Sequence, residues 1–112
     1  MSSPATKQEF TLHVCEFTTT PGPRFKEDGH HSGEEFREDY LLPKYRKAVN
    51  NGECLHVVLK ETKGYATSFL EEAFGGLVRT GYKKSDIRKH LKIHSSDRPW
   101  YESEIYGYID EA

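Results

Sequence analysis

Phe10, Leu12 and Val14 alternate with Thr11, His13 and Cys15, a period of two that predicts a strand with one face in a core, extended by Phe17. From Ser32 the period becomes helical, through Phe36, Tyr40, Leu41, Tyr45, Ala48 and Val49, and it stops at Asn50-Asn51-Gly52. Ser32 and Glu35 predict a capping box at the start, and Pro43 inside the pattern predicts a kink or two short helices. Cys54-Leu55-His56-Val57-Val58-Leu59 is a short, almost unbroken apolar run, which predicts a central strand covered on both faces. Leu91-Lys92-Ile93-His94 predicts a third strand. Pro99 opens a last helix with Tyr101, Ile105, Tyr108 and Ile109 on one face.

Between the second and third strands lies the most informative stretch. Ser68 and Glu71 predict a second capping box, and Gly81 supplies a left-handed stop. At 100° per residue, Phe69, Leu70, Ala73, Phe74, Leu77 and Val78 cover more than the ~100° stripe that a surface helix needs. Gly75 and Gly76 each cost a helix interior about 0.8–1 kcal/mol relative to alanine. Gly76 falls at the rim of the apolar face, where close approach to a strand accounts for it. Gly75 falls on the opposite side, a position for another chain to pack flat. A basic connector follows, with Ser85 predicted to cap one helical turn.

Strands alternating with helices predict an α/β sheet covered by helices. The 112 residues fit one domain, 1–112, with 1–8 a flexible N-terminus. Aromatic residues make up 12% of the chain, seven Tyr, six Phe and one Trp, which argues against disorder despite 30% charged residues. The net charge of −2 and the sequence pI near 6.3 argue against nucleic acid as a partner. No signal-peptide pattern and no apolar run of ~20 residues occurs, and Cys15 and Cys54 read as strand residues. A cytoplasmic protein that neither spans nor binds a membrane is expected.

Gly22-Pro23-Arg24, Asp28-Gly29, Ser32-Gly33-Glu34-Glu35-Phe36-Arg37, Leu42-Pro43 and the block from Thr67 through Ser68-Phe69-Leu70-Glu71-Glu72-Ala73-Phe74-Gly75-Gly76 to Arg79 resemble the STAS-like family of uncharacterised bacterial domains. The resemblance implies a mixed sheet of about four strands with flanking helices. True STAS domains include anti-anti-sigma factors, which dock on histidine-kinase-like ATPases (anti-sigma factors) and are switched off by phosphorylation of a serine at the start of the corresponding helix. Ser68 occupies that place, although Ala66-Thr67-Ser68-Phe69 replaces the Asp-Ser-Ser-Gly type of motif.

The expected function is therefore a non-enzymatic regulatory domain that binds a protein partner through Thr67, Ser68, Glu71, Glu72, Gly75 and Arg79, with Ser68 as the phosphorylation candidate. The alternative is a sensor of a small anion or nucleotide, held by Arg24 and the free N–H groups of the helix start at Ser32-Gly33. His30-His31 among acidic residues matches no metal-ligand spacing, so neither metal nor cofactor is expected. A basic stretch over 79–92 and an acidic one over 27–39 read as solvated faces that would also serve self-association.

Overall fold

The computed structural model describes residues 10–112; the expectation for 1–8 lies outside them. Three strands, β1 (Thr11–His13), β2 (Leu55–Val58) and β3 (Leu91–His94), form one sheet in the order β1-β2-β3. Both pairings are parallel, with Leu12, Val57 and Ile93 in register across the sheet. The expected mixed sheet of about four strands is thus, among the described residues, three strands all parallel. Each strand is joined to the next through a helix, and such a crossover returns the chain in the same direction. β1 is also shorter than its alternating pattern, because Val14–Glu16 turn into a 3-10 segment.

Helix α1 runs without a break over 33–50, as α-helical Gly33–Phe36, π-helical Arg37–Leu41 and α-helical Leu42–Asn50. The break expected at Pro43 takes the form of this wide turn, with the Leu42 N–H reaching back to the Arg37 carbonyl. Ser32 caps the helix as expected, its Oγ accepting from the Glu35 N–H at 3.0 Å. The returning Glu35 carboxylate takes the N–H of His31 instead of that of Ser32.

Helix α2 runs over 67–80 in the same three-part form, with Thr67–Leu70, a π-helical Glu71–Gly75 and Gly76–Thr80. Here the predicted capping box does not form. Ala66 is the N-cap, without a side-chain cap, and Ser68 already lies inside the helix. Glu71 is drawn instead to two guanidiniums, since charge-assisted bonds are roughly twice as strong as neutral ones. Gly81 ends the helix at φ 124°, as its residue type predicts. A direct consequence separates the two serines. Ser32→Ala should cost about 1 kcal/mol in urea unfolding, the usual price of a lost cap, while Ser68→Ala should stay within about 0.5 kcal/mol.

Helix α3 (Lys84–His90) is longer than the single turn expected and starts without a cap from Ser85. Helix α4 (Trp100–Glu111) buries Tyr101, Ile105 and Ile109, as its period requires. Leu12, Leu55, Val57, Leu91 and Ile93 form one sheet face and share a single core with the helices. On the other face His56, Val58 and His13 are only half-buried, and Lys92 and His94 are exposed. β2 is central as predicted, but among the described residues it is roofed on one face only. Strand order follows chain order, so right-handed crossovers put every connecting helix on the same side.

Candidate functional site

The two π-helical turns face one another and carry an ionic cluster. Arg37, the first residue of the α1 turn, donates to the Glu72 carboxylate and to the Glu72 carbonyl, both at 2.6 Å. Arg24, from the loop before α1, sits 2.6 Å from Glu71 and 3.5 Å from Glu72. Arg79 reaches back along α2 to Glu71 at 2.8 Å and to Glu72 at 3.3 Å. Three guanidiniums therefore share two carboxylates, leaving one positive charge over within the five residues. Burial grades across the set: Arg37 and Glu72 are 12% and 10% exposed, whereas Arg24 is 33% and Arg79 44%. π-helical turns occur frequently at functional sites.

The glycines explain how the helices come so close. A Cβ on Gly33 would lie 2.5 Å from the Phe69 carbonyl oxygen, so the start of α1 rests directly on the α2 backbone. A Cβ on Gly76 would lie within 2.8 Å of the Arg37 side chain. Gly76 thus admits Arg37 across α2, where closeness to a strand was expected. Gly75 is buried, and a Cβ there would meet Glu71 Oε2 at 2.7 Å and Ala112 at 3.5 Å. Its side of α2 is covered by the chain itself and offers no flat surface to a partner.

Of the residues expected to contact a partner, Thr67 and Arg79 are exposed, Ser68 and Glu71 are half-buried, and Glu72 and Gly75 are buried. The residues expected to hold an anion do not form that site. Gly33 N–H donates to the Pro23 carbonyl, Glu34 N–H to the Arg24 carbonyl, and Glu35 N–H to Ser32 Oγ. Phe36 N–H donates to the Ser32 carbonyl, so all four donors of the first turn are used. Arg24 turns away from them toward Glu71 and joins the α2 set. Arg37 was not singled out by sequence, where it reads as one cation in an acidic run. The signal that points to it is Gly76, a costly residue in a helix interior whose missing Cβ admits the Arg37 side chain.

Hydrogen bonds from Arg79 hold the Glu71 carboxyl below the usual carboxylate range, with Arg24 adding to them and burial opposing. A carboxylate lowered on folding stabilises the protein fully above its ordinary value of 4.5, and that stabilisation fades as the pH drops through the lowered folded value. Between about pH 6 and pH 3, wild-type stability should fall more steeply than that of Glu71→Gln. Parallel slopes in urea unfolding at the two ends would contradict this.

Among the described residues no group of three or more His, Cys, Asp or Glu is placed to hold a metal, and no helix is long and apolar enough to cross a membrane. What these features define is a small α/β domain with a parallel sheet, helices on one face, and an arginine–glutamate cluster joining its two π-turned helices. Residues 32–99 match the model of a family described as a STAS-like domain of unknown function, and the chain belongs to that family. No curated protein and no solved structure matches it.

Proposed function

We propose that the chain is a non-enzymatic, cytoplasmic regulatory domain that docks a protein partner through the exposed rim of the arginine–glutamate cluster. One observation carries this reading: Phe25, 39% exposed, stands beside Arg24, next to a cluster with a surplus guanidinium. Aromatic residues and arginine are the types that concentrate binding energy at interfaces. The rim comprises Arg24, Phe25, Thr67, Ser68, Glu71 and Arg79, while Glu72 and Gly75 support it from beneath. The partner class that fits the family's better-known relatives is a histidine-kinase-like ATPase, a warrant at the level of fold.

Ser68 suits a switch within this surface. A phosphate there would add about −1.5 to −2 charges in the first turn of α2, where the helix favours an anion. It would stand one turn from Glu71 and compete with it for Arg24. The test is calorimetric titration of the purified chain with the histidine-kinase-like ATPase encoded nearest to it. Phe25→Ala and Arg79→Glu should each weaken binding at least about tenfold, or about 1.4 kcal/mol. No binding, or binding indifferent to both substitutions, rejects the reading.

A further inference from the structure

The sheet face away from the helices has a composition of its own. In register across it stand Thr11, His56 and Lys92, then His13, Val58 and His94. These six residues bring three imidazoles and one ammonium, on a parallel sheet, a type ordinarily covered on both faces. At the carboxyl ends of β2 and β3 this face opens into a cleft of about 630 Å³. Val58 and Pro99 supply apolar surface, and Lys60, His94, Ser96 and Glu102 supply polar groups. The volume falls in the range of small-molecule sites, and the carboxyl end of the strands is where open α/β sheets bind ligands.

The polar groups are held in two different ways. His56 Nδ1 lies 2.8 Å from His94 Nε2, with the rings stacked at 28° and centroids 5.0 Å apart. When His56 donates in that bond, the remaining proton of the neutral His94 ring sits on Nδ1, where it can serve an incoming acceptor. By contrast, Lys60 and Glu102 form no ion pair among the described residues, with each other or with any other group.

We propose that this cleft binds a small organic anion, a carboxylate or phosphate carried on an apolar body. Lys60 and His94 take the anionic group, Val58 and Pro99 take the body, and Glu102 accepts from a hydroxyl or amino group at the far end. The site lies on the sheet face opposite α1 and α2. It is independent of the docking rim, and either can fail without the other.

The experiment follows the histidine ring resonances by NMR during titration with phenyl phosphate and, separately, phenylacetate. Saturable movement of the His94 ring signals is expected with at least one of them, and which one responds distinguishes phosphate from carboxylate. Lys60→Ala and His94→Gln should each weaken that binding at least about tenfold; should His94→Gln not fold, Lys60→Ala decides alone. Inorganic phosphate, lacking the body, and benzyl alcohol, lacking the charge, should both bind more weakly. No saturable movement, indifference to Lys60→Ala, or inorganic phosphate binding as well as phenyl phosphate would each overturn the proposal.

Discussion

Glu72→Ala is expected to destabilise the protein by about 3–5 kcal/mol, the cost of leaving a buried charge without its partner. Arg37 is only 12% exposed, and its carboxylate partner is 2.6 Å away. With that carboxylate gone, the guanidinium keeps only the Glu72 carbonyl and a distant contact to Glu38 at 3.9 Å. The pair as a whole is worth less than this number suggests, because desolvating two charges consumes most of their attraction. The double variant Arg37→Leu/Glu72→Ala should therefore be more stable than Glu72→Ala alone. Urea unfolding of the four proteins in this cycle measures the coupling directly. If the two single effects simply add, Arg37 and Glu72 are not coupled and the cluster is only a set of surface charges.

The parts of this fold readable from sequence are those that depend on local rules. Leu91–His94 occupies the stretch its alternation predicts, and Gly81 and Asn50-Asn51-Gly52 end helices where their residue types demand. What stayed hidden depends on partners distant in the chain. The Ser68/Glu71 pattern is a well-formed capping box on paper, yet Glu71 lies within reach of Arg24, 47 residues away, and that bond wins. The outward position of Gly75 on a helical wheel is equally misleading, because the wheel contains neither the Glu71 side chain folding over it nor the C-terminal Ala112. Coverage of β2 is a matter of crossover handedness, and an apolar run of six residues does not report which side the helices take.

The same limits apply to the site. The nine residues singled out from sequence were given to two separate functions, partner contact or anion binding, without any sign that the groups meet. The structure joins them through Arg24 and Glu71. The family resemblance rests on the loop before α1 and on α2, and the start of α1 lies against the α2 backbone at Phe69. It did not indicate that the touching is ionic, since pairing between distant charges leaves no periodic trace.

Gly33→Ala and Gly107→Ala should change stability in opposite directions, although both add one methyl group to a helical glycine. At Gly107 the new Cβ meets nothing within 4 Å, so only helix propensity acts, and a gain of up to about 1 kcal/mol is expected. At Gly33 the same Cβ would stand 2.5 Å from the Phe69 carbonyl oxygen and 3.2 Å from its carbonyl carbon and Cα. Those are backbone atoms of α2, which no rotamer change can move aside. Overpacking of this kind costs about 1–3 kcal/mol. Separating α1 from α2 would also stretch the bridge between Arg37 and Glu72, so the net loss should be about 2–3 kcal/mol, near the top of that range. Urea midpoints measured with unchanged slopes separate these effects from changes in the unfolded state. Equal shifts for the two variants would mean that the start of α1 does not rest on α2, and with that contact would go the geometry that brings Arg24 and Arg37 to the glutamates.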